Sequence, residues 1–348
     1  MFPHTALYRW YDQHGRKDLP WRTTLDPYPI YVSEVMLQQT QVHTVLHRYY
    51  HPFLERFPSL TALADAPLEQ ALKAWEGLGY YRRIRMMHQA AQMTAPTLPT
   101  SVEHLMQLSG IGRNTAHAIA AFAYHHPVPV MEANVKRVLH RLYAAPKLTE
   151  KQLWDYAYQC LDATDPFTYN QAMMDIGALI CTPKNPLCTQ CPLASSCQGK
   201  AQPHAYPALK PRKSIPTRTF LTLVVEAEHH YYLAPRTSDF LGGLFGFMHY
   251  EIDAPLLVHD RLYDRSTLPS LGWFTQHYSH FTAHTEVLHL ALDSRPSGEG
   301  WYNKEQINTL PLSRLDSKIF KQITLNSKSS IVNPYPHNHA SAQQDYPS

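Results

Sequence analysis

The chain has 348 residues, a formal charge of +3 and a hydrophobic fraction of 44%. At roughly 100–200 residues per domain, that length predicts two domains, and the mild positive balance permits a nucleic-acid partner without requiring one. No apolar run approaches the ~20 residues that span a bilayer, and the N-terminus "MFPHTALYRWYDQHGRKDLPW" has no apolar secretory core. The expectation is no membrane association and a cytoplasmic, reducing setting, where clustered cysteines bind metal or do redox work more often than they pair.

Residues 1–198 are predicted to be mostly helical. "VSEVMLQQTQVHTVLHRYY" puts Val32, Val35, Met36, Val42 and Leu46 at helical spacing, and "PLEQALKAWEG" and "LWDYAYQCLDA" repeat the pattern. Asp65 and Thr149 stand before such runs as candidate caps, and Gly77 and Gly79 stop one. In "LMQLSGIGRNTAHAIAAFAY" (105–124), Leu105 and Leu108 end one helix. Gly110 and Gly112 make a tight turn, and Thr115 opens an alanine-rich helix. Glycines let the backbone come close to a ligand, and amides at a helix start can bind phosphate. Next comes "PVMEANVKRVLHRLY" (129–143), with Glu132 at the mouth of a basic helix. It is either a cap favoured by the helix dipole or a group with chemistry to perform.

Four of the five cysteines fall in "CTPKNPLCTQCPLASSC": Cys181, Cys188, Cys191 and Cys197. Three prolines and many polar residues make this a loop. Four thiolates suit a tetrahedral zinc ion, but zinc ribbons offer two C-x-x-C knuckles and this loop has one. Iron–sulfur clusters also take four cysteines. Cys160 lies outside the pattern and reads as a buried helix residue.

Residues 199–217, "GKAQPHAYPALKPRKSIPT", lose periodicity and read as an extended linker. Residues 218–326 read as an α+β domain. "TFLTLVVEAEHHYYLAPR" is a predicted hairpin. "FLGGLFGFMHYEI" and "HTEVLHLAL" are further strands, and "KEQINTLPLSRLDSKIFKQI" is helical. The polar tail 327–348 is expected to be disordered.

The spacing C-x6-C-x2-C-x5-C, about 70 residues after L-x-x-L-x-G-I-G, resembles the endonuclease III superfamily, which pairs a helix-hairpin-helix with a [4Fe–4S] loop. Further segments resemble one family within it, the MutY-type adenine DNA glycosylases. These are "LPWR" (19–22), "SEVMLQQTQV" (33–42), "GLGYYRRIR" (77–85), "NVKRVL" (134–139) and "NQAMMDIGALICT" (170–182). The likeness continues in "GGLFGF" (242–247) and "HYSHF" (277–281). It implies an all-α glycosylase domain over 1–198 and a Nudix-like lesion-recognition domain over 218–326. No Nudix pyrophosphohydrolase signature occurs in that domain. The partner implied is double-stranded DNA carrying adenine opposite 8-oxoguanine or guanine, met by a monomer on the bacterial nucleoid.

The resemblance also assigns roles. Glu34, otherwise an acid near a helix start, takes the general-acid position. Glu132–Ala133 stands where family members present aspartate and glycine, so Glu132 takes the place of the carboxylate that stabilises the sugar cation. Gln39 and Tyr80 match residues that wedge the duplex open. Trp21, Arg22 and Gln171 match positions around the adenine pocket. Gly110, Gly112 and Lys136 match DNA-facing positions, and Lys184, inside the cysteine loop, is a candidate phosphate contact. Tyr278, Ser279 and His280 match the loop that contacts the lesion base. Asn114 occupies the position where bifunctional relatives carry a lysine nucleophile; an amide forms no Schiff base, which implies base removal without strand cleavage. Two other readings stay open: a lesion-binding homologue whose catalysis is weakened by Glu132, and a glycosylase for another mispaired base.

Overall fold

A computed structural model of the protein describes residues 2–208, 214–237 and 240–329. It resolves into two compact units, Met1–Ser214 with Arg236–Leu244, and Ile215–Pro235 with Phe245–Ser348.

The first unit is helical. Its central helix, Pro27–Leu37, starts where the Asp26 carboxylate accepts the Tyr28 amide at 2.9 Å and Pro27 presets the first turn. Ile30, Tyr31, Val32, Val35 and Met36 are all buried, so the helix is covered on nearly every side. It packs on Arg113–Tyr124, a helix whose Ala116, Ala118, Ala120 and Ala121 are fully buried. Small side chains let these two helices approach closely. One core lies around Tyr31, Met36, Trp75, Ile84 and Met87. A second joins the N-terminal helix His4–His14 to Ala133–Leu142, Glu150–Cys160 and Pro166–Asp175 through Leu7, Leu139, Trp154 and Met173. Cys160 is buried there, as expected.

Several local expectations change. "VSEVMLQQTQVHTVLHRYY" is not one helix: Pro27–Leu37 ends, Gln39 takes a left-handed φ of 57°, and the chain restarts at Val42. The Arg83 guanidinium takes up the carbonyls of Val35, Met36 and Gln38, which helical periodicity cannot reveal. Asp65 caps nothing. It ends the Leu60–Asp65 helix, and the next helix begins after Pro67 without a side-chain cap. Thr149 does cap, in a reciprocal capping box with Gln152. Gly77 and Gly79 sit at φ of 89° and 78°, conformations that suit glycine.

The boundaries also move. The expected linker begins at 199, yet Ala208 donates its amide to Pro146 O at 2.9 Å and Arg141 Nε reaches Pro203 O, so the helical unit extends through Ala208. Residues 209–213 lie outside the described residues. Arg236–Leu244 belongs to the helical unit, with Leu244 fully buried in the first core, so "GGLFGF" is divided between the units. Of the tail expected to be disordered from 327, residues 327–329 instead continue the Arg314–Ser329 helix, and 330–348 lie outside the described residues.

The second unit is a mixed sheet covered by a helix, as the α+β reading expects. Thr217–Ala227 pairs in parallel with Thr282–Leu292 and antiparallel with His230–Tyr232 and Met248–Glu251. Ser270–His277 adds antiparallel to Thr282–Leu292, and Trp301–Tyr302 to His230–Tyr232. The predicted hairpin turns at Glu228 and His229, both with positive φ. Val224, Phe247 and Val287 pack with Leu315 and Ile319 of the Arg314–Ser329 helix, while Leu221, Leu223, Leu288 and Trp301 form a separate core.

Candidate active site and cysteine loop

A cavity of about 170 Å³ opens in the helical unit. Its lining includes Trp21, Arg22, Glu34, Glu132, Asn134 and Gln171. Four sequence-distant segments thus bring together both expected catalytic carboxylates and all three expected pocket residues.

Glu34 projects from the second half of the Pro27–Leu37 helix. It is half-buried, reached through the cavity but enclosed by protein on its other sides. Burial, then the charge of Glu132, pushes its carboxyl up to about 8, against a smaller opposing pull from Arg22. Glu132 sits at the N-cap position of Ala133–Leu142, but its side chain makes no capping bond. Instead Asn114 Nδ2 donates to Glu132 Oε1 at 2.6 Å, while the Met131 amide donates to Asn114 Oδ1 at 2.7 Å. Burial raises Glu132 above the ordinary carboxylate range, and the Asn114 bond and the Lys136 charge oppose that. With two carboxylates in one cavity, Glu132 has the better support for a negative charge. It ionises first and keeps Glu34 protonated.

Arg22 is held by a network that sequence reading did not find. The fully buried Asp175 accepts from Arg22 Nη1 at 2.8 Å and Nη2 at 2.9 Å. Arg16 adds its amide at 2.8 Å and its Nε at 2.9 Å. Burial alone would raise Asp175, but the bonds and charges of Arg22 and Arg16 prevail and leave it below its usual value. The available signal was a lone acid in the apolar run "NQAMMDIGALICT". Gln171 is 2% exposed, and its Oε1 has no hydrogen-bond partner among the described residues.

The glycine turn differs between its two glycines. Gly110 has φ of 74°, and a Cβ there would lie 2.6 Å from Met86 Cβ, so the fold itself demands glycine. Gly112 has ordinary φ and open space where a Cβ would go. It is the N-cap of Arg113–Tyr124 and offers no side chain to the first-turn amides. A cleft beside it is lined by Arg113, Asn114, Lys136 and Lys151. Lys136 also pairs with Glu150 at 3.1 Å. Gln39 and Tyr80 are both exposed on turns with left-handed φ, 57° and 50°.

The four clustered cysteines line one small cavity of about 20 Å³. Among the described residues, no three His, Cys, Asp or Glu groups gather at single-ion range. The 3% exposed Arg141 bonds Cys181 O, Thr182 O, Pro203 O and Tyr206 O. Arg137, one turn earlier on the helix headed by Glu132, donates Nε to Cys181 O at 2.7 Å. Lys184 is exposed in the same loop. In the second unit, Tyr278 N donates to Phe281 O at 2.9 Å, closing a turn with Ser279 and His280 exposed at its tip. Ser279 Oγ lies 3.3 Å from His280 Nδ1, and the buried Phe281 anchors the turn.

Residues 32–157 match the HhH-GPD superfamily of base excision DNA repair proteins, and 181–197 match the iron–sulfur binding domain of endonuclease III. An adenine DNA glycosylase of Buchnera aphidicola subsp. Acyrthosiphon pisum (strain APS) is 30% identical over 337 residues, covering 91% of this chain and 96% of the relative. A Homo sapiens adenine DNA glycosylase is 43% identical over 213 residues, covering 56% of this chain and 39% of the relative. A solved thermostable thymine-DNA glycosylase covers 57% of this chain and 94% of its own, at 24% identity and a TM-score of 0.53, a likeness of fold alone. Among the described residues, no helix is long and apolar enough to cross a membrane. With a relative matched along nearly its whole length and both repair-protein regions in place, the chain belongs to the adenine DNA glycosylase family of the HhH-GPD superfamily.

Proposed function

We propose that the protein, acting as a monomer, removes adenine from duplex DNA where it stands opposite 8-oxoguanine or guanine, leaving the strand intact. The observation that carries this is a single cavity lined by two carboxylates, Glu34 and Glu132, with burial and the Glu132 charge pushing Glu34 up to about 8. The adenine must leave the stack to reach it, because its reacting atoms are inaccessible within a duplex. Gln39 and Tyr80 hold the duplex open at the vacated position. The amides after Gly112, with Lys136 and Lys184, take the phosphates.

In the cavity, Trp21 and Arg22 line the base, and the unpartnered Gln171 Oε1 accepts from its exocyclic amine. Glu34 gives its proton to adenine N7. The bond between sugar C1′ and base N9 then breaks, and its electron pair leaves with the neutral base. The Glu132 carboxylate stabilises the positive sugar until water adds at C1′ and passes its proton to the Glu34 carboxylate, which restores the acid. Asn114 cannot attack the sugar, so no covalent intermediate leads to strand cleavage. Tyr278, Ser279 and His280 contact the 8-oxoguanine base.

Cys181, Cys188, Cys191 and Cys197 would hold a [4Fe–4S] cluster: four thiols line one cavity, the donor set such a cluster takes, and among the described residues no three of them gather at single-ion range. When bound, the cluster cross-links the loop. Arg137 and Arg141 fasten that loop to the helix headed by Glu132. The test is single-turnover excision on a duplex with adenine opposite 8-oxoguanine. Abasic product without strand nicks is expected from cluster-loaded protein, and Glu34→Gln should bind the duplex but release no adenine. Absence of product from wild type would sink the proposal.

A further inference from the structure

Arg83 is tied to both turns that carry the exposed residues Gln39 and Tyr80. Its Nη1 donates to Val35 O at 2.8 Å, Met36 O at 3.0 Å and Gln38 O at 2.6 Å. Its Nη2 donates to Gly79 O at 3.1 Å and lies 3.4 Å from Thr40 Oγ1. The guanidinium carbon also stands 5.4 Å from the Trp75 ring and 5.3 Å from the Tyr80 ring, near enough for cation–π attraction. Trp75 reinforces the second turn, donating Nε1 to Gly79 O at 3.1 Å.

Both turns need such support. Gln39 and Tyr80 are not glycines, yet both have left-handed φ, where an L side chain is strained. The carbonyls at the end of Pro27–Leu37 have lost their helical partners, and Arg83 supplies donors for three residues there. Its five planar donors can reach several carbonyls in two directions; an ammonium group cannot.

We infer that Arg83 is a positioning residue for base extrusion, presetting the Gln39 and Tyr80 turns as one unit before DNA arrives. This rests on the reading that Gln39 and Tyr80 hold the duplex open. Arg83 touches no substrate. Its loss therefore acts on extrusion and leaves the chemistry of an already extruded base intact.

The test places 2-aminopurine opposite 8-oxoguanine in a duplex and follows its fluorescence on mixing with full-length, cluster-loaded protein in a Glu34→Gln background. Arg83→Lys should slow unstacking about tenfold. Its affinity for a duplex with an abasic analogue at the target position should stay within about twofold. In a Gln39→Ala, Tyr80→Ala background, Arg83→Lys should cost nothing further, because nothing remains to position. Unstacking unaffected by Arg83→Lys, or an undiminished cost in the double background, overturns the inference alone. If Gln39→Ala and Tyr80→Ala leave unstacking intact, the wedge reading falls and takes this inference with it. Hydrogen exchange on the DNA-free wild type checks the same point without a substitution. The Thr40 and Arg83 amides, bonded to Leu37 O and Tyr80 O, should be protected; exchange at the rate of an open loop overturns a preset clamp.

Discussion

Glu132 carries one methylene more than the aspartate of related glycosylases, and Asn114 takes up that length. The amide binds the carboxylate with one end and the Met131 backbone with the other, so the longer side chain is tethered. A hydrogen bond to a charged group contributes about 1.5–3 kcal/mol. Asn114→Ala should therefore slow single-turnover excision roughly tenfold to a hundredfold. Glu132→Asp should also slow it, since the shorter acid leaves its tether and ~1 Å of displacement can cost about 100-fold. The double variant should fall well short of the product of the two losses. A faster Glu132→Asp enzyme would instead mark Glu132 as a damaged catalyst. The pH profile tests the same pair. With Glu34 as the proposed proton donor, the rate should decline as pH rises through about 8. It should also decline in acid as Glu132 protonates, above the ordinary carboxylate range. The two limbs belong to the pair rather than to either residue, and a rate that keeps rising into alkali would contradict a neutral Glu34. Both residues could be picked out of the sequence as departures from the family pattern. The bond between them could not, because it joins side chains 18 positions apart across the glycine turn.

Elements are positioned here largely by buried and half-buried arginines. Arg83 ends the helix of Glu34, Arg137 and Arg141 fasten the cysteine loop, and Arg22 with Arg16 ties the first segment to Asp175. None of these bonds was legible from helical spacing, which records apolar faces and is blind to a charge turned inward. What periodicity, glycine and capping residues did disclose were the helices, the Thr149 cap and the glycine turn. Asp175 shows how much an unread residue can matter. Removing one partner of a buried ion pair strands the others and costs about 3–5 kcal/mol. Asp175→Asn should lower the melting temperature and disturb the cavity wall at Arg22. The sign with pH follows from its lowered pKa. The carboxylate's contribution is full above the unfolded value of about 3.9 and is lost as pH falls through the lower folded value. The gap between wild type and Asp175→Asn should therefore be widest at neutral pH and close in acid. A constant gap in thermal melts would place the effect outside this charge.

The whole chain divides its work between units, and the sequence disclosed that division better than its boundary. A change from helical to strand periodicity was visible near 199–217, but the backbone bonds that hold residues to Ala208 on the helical unit were not. The two carboxylates proposed to carry out excision share a cavity in the first unit. The second unit presents Ser279 and His280 on a turn pinned by the buried Phe281, a rigid mount for two polar groups that can recognise a base edge. If they read the lesion, they contribute to choice of the opposite base and not to bond breaking. Phosphate contacts by the first unit should weaken binding steeply with salt whatever the opposite base, since counterion release is blind to sequence. The preference for 8-oxoguanine over guanine should survive added salt far better. Replacing both Ser279 and His280 by alanine removes about two hydrogen bonds, each worth roughly 1 kcal/mol net. The double variant should lose at least about tenfold of its preference for adenine opposite 8-oxoguanine, while excision opposite guanine stays within about twofold of wild type. Parallel single-turnover assays on the two duplexes read this ratio directly. Equal loss on both would move those residues from lesion reading to general DNA binding.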